Sequence, residues 1–428
     1  MTGAHPGRLG DGLQPPTPGV RVVLDARPLQ APDRAPLAAA YLDGLLGAFD
    51  ADPLSGESFT FLIASDADDP TVGFTSLDVV GRRQLPPTRL LRSGAQTVDP
   101  FMLRGATIGA TWRADRGGAA GGVYHAVGSG PLPISSGLPV VVTLLDLAPW
   151  ELPEAFGRSF ASRLGQRLRA QLLREAAAII VGSEATARAT RRLLRIRGDR
   201  IRIVRLAPRA GFGPAASADP SGAGAAVRDR LGLGGRYLVF SGRFDARLDL
   251  STMLVALASL AAAGRPEGLD GDVPWPPRIL VLGASPDDRA SVARAAARRG
   301  VEGSLVYAPA LPVEATVGLV RAARGIVLPV LSEAAGLPVI EALACGTPVV
   351  ASAVGPLPGL VGRAGLLVEP RDPGRLATAL AAIWSDDEIH GGLVSVARAR
   401  AAAEPRTWAE VAAETRRIYA EVGIRRPG

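Results

Sequence analysis

The chain has 428 residues, of which 47% are hydrophobic, and its formal net charge is +7. This length suggests two or three domains with ordinary buried cores. The single cysteine, Cys345, excludes an intramolecular disulfide framework and is typical of a reducing compartment. Residues 1–19 contain no apolar run that would form a signal peptide, and no window is long and apolar enough for a membrane-spanning helix. These features predict a soluble cytoplasmic protein with a disordered tail over residues 1–19.

Six short apolar runs follow this tail, separated by segments with helical spacing. The runs are "VRVVLDA" (20–26), "FTFLIAS" (59–65), "VYHAV" (123–127), "PVVVTLLD" (139–146), "AIIVGS" (178–183) and "IRIVRLA" (201–207). Strands that are apolar on both faces and alternate with helices form a parallel sheet covered by helices. Residues 20–210 are therefore predicted to form a first doubly wound, Rossmann-like α/β domain.

The basic charge is concentrated in residues 158–209, which hold fourteen arginines against three acids, and the whole chain has no lysine. A genome rich in Ala, Gly, Pro and Arg codons would account for this composition without any function. Nucleic-acid binding is disfavoured, because only Phe156 and Phe160 lie near this stretch as aromatic platforms for base stacking. A basic amphipathic surface facing anionic lipid, or a phosphorylated acceptor, is the other interpretation.

A second domain follows a stretch, 211–236, that is rich in Gly, Ala, Pro and Ser, lacks periodicity and is predicted to be a linker. Six further apolar runs then alternate with helical segments and predict a second Rossmann-like domain over 237–405. The runs cover 237–242, 278–283, 304–310, 325–330, 348–352 and 365–370. The amphipathic segment 407–422 is a last helix. In doubly wound folds ligands bind beyond the carboxyl ends of the strands, often between domains, so the two domains are expected to face each other across a cleft.

The stretch "SEAAGLPVIEALACGTPVVAS" (332–352) begins at the carboxyl end of a predicted strand and places two acids around a helix N-terminus. Backbone N–H groups of Ala335, Gly336 and Leu337 are expected to face an anion such as a phosphate. The carboxylate of Glu341 could accept two hydrogen bonds from a ribose diol, and that of Glu333 could face another polar part of the same ligand. The alternative is that Glu341 is a solvated helix residue and Glu333 an acid at the helix N-terminus.

The longer stretch "PVLSEAAGLPVIEALACGTPVVASAVGPLPGLVGRAGLLVEPRDPGRLATAL" (329–380) resembles the retaining, nucleotide-sugar-dependent glycosyltransferases with the GT-B fold. That large family, the glycosyl transferases group 1, contains glycogen synthase-like and bacterial mannosyltransferase-like enzymes. Further similar segments include "LDARPL" (24–29), "VGSEATARATRRLL" (181–194) and "YLVFSGRFDARLDLSTMLVAL" (237–257).

The resemblance implies a role for each motif residue. Glu341 would bind the donor ribose, Glu333 would contact the donor sugar, and Arg243 would meet the diphosphate. The acceptor would bind the first domain, and the final helix would cross back to that domain. The reaction would need neither a metal nor another cofactor, since arginines and helix ends neutralise the leaving diphosphate. A role in cell-surface polysaccharide or glycolipid synthesis is implied by analogy only.

Four positions depart from the family pattern. The run 31–42 carries alanines where the family has a glycine-rich phosphate loop ending in Gly-Arg-Tyr, and only its Tyr41 remains. Leu145 replaces a histidine, Leu248 replaces a lysine on the diphosphate, and Ala335 replaces a phenylalanine. An active enzyme would therefore need a substitute cation.

Arg34, Arg247 and His125 are the candidates for this substitution. Arg247 could bind phosphate through its planar fork of donors. His125 ends a predicted strand and faces either the cleft, where it would join Glu333 in catalysis, or the core. The alternative function is a catalytically impaired GT-B scaffold that binds a nucleotide or a partner.

Overall fold

The computed structural model describes residues 19–86, 100–105, 121–214, 222–241, 244–403 and 405–423 of the chain. Most of the predicted N-terminal tail and the candidate Arg243 lie outside these residues. The described residues contain two parallel sheets with helices on both faces, which confirms the predicted fold of two Rossmann-like domains. None of the described helices has the length and apolarity that crossing a bilayer requires.

The first sheet has seven strands in the order β3-β2-β1-β4-β5-β6-β7. They are β1 (Arg21–Asp25), β2 (Ser58–Ala64), β3 (Val79–Leu85), β4 (Gly122–Val127), β5 (Val140–Thr143), β6 (Ala178–Val181) and β7 (Ile201–Ile203). All six predicted strands are present. The prediction missed β3, because this edge strand alternates polar and apolar residues and buries only Leu85 fully.

The helices of the first domain cover both faces of this sheet. They are α1 (Arg27–Gln30), α2 (Pro36–Ala51), α3 (Ala148–Glu151), α4 (Pro153–Phe156), α5 (Phe160–Glu175) and α6 (Glu184–Leu194). The Ser183 hydroxyl caps α6 by accepting a hydrogen bond from the Thr186 N–H at 3.0 Å. This cap fixes the start of α6, and Thr186 of the same helix contacts the second domain at Ala334.

The second sheet has six strands in the order β10-β9-β8-β11-β12-β13. They are β8 (Leu238–Ser241), β9 (Ile279–Leu282), β10 (Leu305–Ala308), β11 (Gly325–Leu328), β12 (Val349–Ser352) and β13 (Gly365–Val368). All six predicted strands of this domain are present. Their side chains are mostly buried in one apolar core, as expected for a sheet covered on both faces.

The second domain also holds the helices that follow these strands. They are α7 (Ala223–Arg230), α8 (Leu250–Ala263), α9 (Pro286–Ala297), α10 (Val313–Ala322), α11 (Leu337–Ala344), α12 (Leu357–Val361), α13 (Pro373–Ser385) and α14 (Asp387–Ala403). Helix α7 lies inside the stretch predicted as a linker, so that prediction is wrong for these residues. A Cβ on Gly224 of α7 would lie 2.6 Å from Gly318 Cα of α10. The two helices therefore contact each other through glycines. A glycine contact needs no periodic apolar residues, so the sequence pattern did not indicate a helix here.

The last helix, α15 (Trp408–Gly423), packs on α2 and β4 of the first domain. The Trp408 ring lies on Gly44 of α2, where a Cβ would approach it to 2.2 Å, and the indole N–H donates to the Pro208 carbonyl at 2.9 Å. The chain thus returns from the second domain to complete the core of the first.

Candidate active site

A cleft of about 1310 Å³ lies between the two domains. Its walls contain residues that follow the carboxyl ends of strands in both sheets: Leu145 and Asp146 after β5, and Ser332 and Glu333 after β11. The first turns of α2 and of α11 also line the cleft, as do residues that follow β9 and β10. A cleft at this place is where doubly wound domains bind their ligands.

Glu333 lies in the loop between β11 and α11 and lines the cleft. Its Oε1 accepts hydrogen bonds from the backbone N–H groups of Ala334 at 3.0 Å, Ala335 at 2.9 Å and Gly336 at 2.9 Å. The expectation that the N–H groups of Ala335 and Gly336 are free for a phosphate is therefore wrong in this structure. The carboxylate of the chain itself occupies the anion site at the start of α11.

Burial raises the pKa of the Glu333 carboxyl, while its three backbone hydrogen bonds act to lower the pKa and the charge of Asp146 adds to the increase. The loop that holds Glu333 is tightly constrained. Gly336 has a φ of +70°, and a Cβ there would lie 2.2 Å from Leu360 Cδ1. This position favours glycine, and the backbone conformation just before α11 therefore depends on Gly336 in the sequence Ala-Gly-Leu-Pro.

Glu341 is 5% exposed and lies on the second turn of α11. Arg209, from the segment that follows β7, holds both of its oxygens: Nε lies 2.5 Å from Oε1 and the second nitrogen, Nη2, lies 3.0 Å from Oε2. Burial acts to lower the pKa of Arg209, but the hydrogen bonds and charge of Glu341 outweigh it, so the guanidinium pKa lies above its usual value. Glu341 is therefore neither a solvated helix residue nor an open ribose acceptor in this structure.

Arg247 lines the cleft, as a diphosphate ligand would, but two carboxylates already bind it. Its Nη2 lies 2.5 Å from Asp146 Oδ2 in the first domain, and its Nη1 forms an ion pair with Asp245 in the second. The guanidinium also lies over the Phe156 ring at 5.3 Å from the centroid. Arg247 thus joins the two domains across the cleft.

His125 does not reach the cleft, so its predicted role in catalysis is wrong in this structure. The ring is fully buried; Nδ1 lies 2.6 Å from Tyr419 Oη and Nε2 lies 2.9 Å from Thr143 Oγ1. Burial lowers the pKa of His125 to about 3. Tyr41, the remnant of the family's loop, belongs to the same group, because its hydroxyl accepts from Thr143 at 3.2 Å. These side chains form a polar cluster in the core of the first domain.

The positions that depart from the family pattern have different surroundings. Leu145 lines the cleft and shares an apolar cluster with Ala335 of the facing domain. Leu248 packs against the core of the second domain and forms an isolated bridge with Val330. The run 31–42 is not a glycine-rich loop, since α2 begins at Pro36, and Leu37, Ala39 and Ala40 line the cleft. Leu145 therefore presents an apolar side chain to the cleft, whereas Leu248 is not among the described residues that line it.

The loop at residues 332–336 is clamped by the first domain. The Ser332 hydroxyl donates to Glu151 Oε2 at 2.5 Å, and the Thr186 hydroxyl donates to the Ala334 carbonyl at 2.8 Å. Hydrogen bonds to α3 and α6 therefore hold the loop that carries Glu333 against the first domain. Sequence reasoning did not assign these contacts, because they join segments more than 140 residues apart in the chain.

Acids outnumber cations among the described residues that line the cleft. The six acids are Asp33, Asp43, Asp146, Asp288, Glu333 and Glu341, and the three cations are Arg209, Arg247 and Arg289. The proposed substitute Arg34 is not among them. Sequence reasoning missed Arg209 because it is one of fourteen arginines in its stretch, and no motif distinguishes it from the others.

Comparison with known proteins places this architecture among glycosyltransferases. Residues 235–386 match the family model of the glycosyl transferases group 1. The chain is 31% identical over 290 residues to a D-inositol 3-phosphate glycosyltransferase of Xylanimonas cellulosilytica. The aligned segment covers 66% of this chain and 64% of that protein. The chain is 36% identical over 118 residues to the O-antigen chain mannosyltransferase B of Escherichia coli, covering 28% of this chain and 30% of that protein. The matched segments thus span less than two thirds of these relatives.

Solved structures share the fold over nearly the whole chain. Sucrose-phosphate synthase from Thermosynechococcus elongatus superposes with a TM-score of 0.66 at 20% identity, covering 94% of this chain and 98% of that one. Anabaena HepE, solved in complex with UDP-glucose, superposes with a TM-score of 0.64 at 15% identity, covering 92% and 97% of the two chains. At such low identity the similarity establishes the fold, and the fold alone.

Proposed function

We propose that this chain, which matches the family model of the glycosyl transferases group 1 over residues 235–386 and has the GT-B fold, transfers a sugar from a nucleoside diphosphate sugar to an acceptor. The observation that carries the proposal is the position of Glu333 and Glu341. Both line one interdomain cleft, on either side of the first turn of α11. A donor molecule that spans this turn would touch both acids at once.

In the proposed reaction an acceptor oxygen forms a bond to the anomeric carbon of the sugar. The bond from that carbon to the diphosphate breaks, and the acceptor proton leaves with the nucleoside diphosphate or passes to water. Negative charge develops on the departing diphosphate. The arginines of the cleft are the groups of this chain that would stabilise it, since Glu333 already occupies the N-terminus of α11. Retention of the anomeric configuration is part of the proposal and rests on the family resemblance.

The support for a donor and a pathway comes from similar proteins rather than from the geometry of the cleft. HepE was solved with UDP-glucose, and one relative acts on the O-antigen chain. We therefore extend the proposal to a sugar-nucleotide donor and to cell-surface polysaccharide or glycolipid synthesis. The alternative of a non-catalytic nucleotide- or partner-binding scaffold gains no support from the relatives that are glycosyltransferases.

Calorimetric titration with UDP, GDP and ADP tests the donor site. We expect one nucleotide to bind the wild-type protein and Glu341→Ala to weaken that binding at least about 100-fold, since two hydrogen bonds to a buried carboxylate are lost. Glu388→Ala, an exposed acid on α14, is the control and should bind as the wild type does. Release of the same nucleoside diphosphate from its sugar conjugate, dependent on acceptor, would then separate an enzyme from a scaffold. Failure of all three nucleotides to bind would contradict the proposed function.

A peripheral contact with an anionic membrane is the second part of the proposal. Helix α5 presents Phe160 with 74% exposure and Leu164 with 46% exposure, one turn apart. Arg163 and Arg167 are exposed beside them. Apolar side chains flanked by arginines suit insertion at a negatively charged lipid surface.

Sedimentation with phosphatidylglycerol-containing vesicles tests this contact. We expect binding that is lost in pure phosphatidylcholine and in the Phe160→Asp/Leu164→Asp double variant. Ile389→Asp, at a residue with 41% exposure on α14, is the matched control and should leave binding unchanged. Equal binding to both kinds of vesicle, or none, would rule out an anionic-lipid surface on α5.

A further inference from the structure

The pairing of Arg209 with Glu341 has a consequence for the donor site, and this inference rests on the proposed function. In the proposal Glu341 accepts hydrogen bonds from the donor ribose. In this structure both of its oxygens already accept from Arg209, at 2.5 and 3.0 Å. Residue Glu341 as a whole is 5% exposed, so little of its surface is open to a second partner. A ribose can reach Glu341 only when the guanidinium moves away.

Arg209 is the member of the pair that can move. Its side chain is 31% exposed, against 7% for that of Glu341, and it lines the cleft from the segment that follows β7. Glu341 is fixed in α11, where its neighbours Ala342 and Leu343 are also buried. The guanidinium lies over the face of Phe212, 5.1 Å from the ring centroid, and the charge of Asp43 in α2 also acts on it.

One other cation of the cleft is less able to receive a diphosphate. Arg247 is bound by Asp146 and Asp245 at the same time, and its side chain is 14% exposed. Arg289 lies over the Tyr307 ring in the second domain, as Arg209 lies over Phe212. The guanidinium that holds Glu341 is that of Arg209, so a movement of Arg289 would not release this carboxylate. Among the described residues, Arg209 has one carboxylate partner within hydrogen-bond distance. A guanidinium binds a phosphate with the same paired geometry as a carboxylate.

We propose that Arg209 is a ligand-exchange switch that releases Glu341 to the donor ribose and transfers its own hydrogen bonds to the donor diphosphate. In the empty cleft Arg209 neutralises the buried carboxylate. When a nucleoside diphosphate enters, a phosphate oxygen replaces Glu341 as the partner of Arg209, and the ribose hydroxyls replace Arg209 as the partners of Glu341. Every buried charge has a partner before and after the exchange, as the desolvation of charges requires. A nucleoside without phosphates offers Arg209 no new partner, so the switch selects for the diphosphate.

The test compares a nucleoside diphosphate with its own nucleoside. The nucleotide among UDP, GDP and ADP that binds the wild type is titrated beside the matching nucleoside into wild type, Arg209→Gln and Arg209→Lys. We expect Arg209→Gln to weaken diphosphate binding roughly tenfold to a hundredfold, since a charged hydrogen-bond pair is lost, and to tighten nucleoside binding. Arg209→Lys keeps the charge but lacks the paired N–H donors of the guanidinium. Its affinities for both ligands should lie between those of the wild type and of Arg209→Gln. Arg205→Gln, an exposed arginine in the same segment, should change neither affinity.

The ratio of the two affinities separates a switch from a structural role. If Arg209 only supports Glu341, both ligands should weaken in parallel and the ratio should stay constant, which would overturn the proposal. Unchanged affinities for both ligands would overturn it too. If Arg209→Gln does not fold, Arg209→Lys still reports the ratio. Absence of nucleotide binding by the wild type would refute the proposed function itself, and the switch with it.

Discussion

Two groups of buried polar contacts in this protein have opposite surroundings. The first joins α15 to the core of the first domain through His125, Tyr419 and the Arg416–Glu57 ion pair. The second joins the two domains across the cleft through Arg209, Glu341 and Thr186. In the first group the partners are buried inside one folded unit, whereas in the second they belong to different domains, and Arg209 and Glu341 line the cleft. Burial alone therefore does not identify a functional residue, and the location of its partner does.

The largest effect is expected from a substitution in the first group, the loss of the Arg416–Glu57 ion pair. Arg416 and Glu57 are paired at 2.7 Å with side-chain exposures of 8% and 3%, and the guanidinium lies 4.7 Å from the Phe49 ring centroid. Arg416→Met should lower the free energy of unfolding by about 3–5 kcal/mol, because it leaves the Glu57 charge buried without a partner. Chemical denaturation measures this effect.

The neighbouring Arg417 is exposed and provides the control for this prediction, since Arg417→Met should change stability by less than about 0.5 kcal/mol. Nucleotide affinity of the folded Arg416→Met protein should equal that of the wild type. A selective loss of nucleotide binding in a fully folded Arg416→Met variant would contradict the division between the two groups.

The next effect is a pH dependence that arises from His125. Its folded pKa, about 3, lies below the ordinary value of 6.5 because the ring is buried. Above pH 6.5 the ring is neutral in both states and its stabilising contribution is complete. As the pH falls below 6.5 the unfolded chain binds a proton that the folded chain does not. Stability should then fall by about 1.4 kcal/mol per pH unit, or about 2–3 kcal/mol at pH 4.5.

Denaturation curves between pH 7 and pH 4.5 check this prediction. His125→Gln should be less stable at pH 7, where its hydrogen bonds are lost, but should show a shallower slope with pH. His390→Gln removes a partly exposed histidine and should alter the slope less. Equal slopes for wild type and His125→Gln would show that the ring is protonated in the folded protein.

The smallest effect concerns the second group and uses two threonines of α6. Thr186 donates to the Ala334 carbonyl at 2.8 Å, whereas the buried Thr190 hydroxyl has no partner among the described residues. Thr186→Val should cost about 0.5–1.5 kcal/mol, because one interdomain hydrogen bond is lost. Thr190→Val should be neutral or stabilising, because it removes an unsatisfied hydroxyl. Thermal or chemical denaturation of both variants measures these changes in stability. A larger loss of stability for Thr190→Val than for Thr186→Val would contradict the prediction.

Local patterns in the sequence determined much of the architecture. Continuous apolar runs predicted twelve of the strands, because strands buried on both faces need apolar residues at every position. The edge strand β3 and the glycine contact of α7 with α10 were missed, since neither requires an apolar pattern. The spacing of Glu333 and Glu341 around Gly336 also indicated where the cleft would lie.

Only the tertiary structure decided which partners these residues have. The sequence suggested free N–H groups at Ala335 and Gly336, yet Glu333 occupies them. It left His125 open between cleft and core, and the packing of α15 places it in the core. It gave no signal for Arg209, because an ion pair between residues 132 positions apart depends on how two domains meet. The periodicity of apolar residues indicates on which face of a helix or strand a residue lies. Which charged group that residue contacts depends on how distant segments pack in the folded chain.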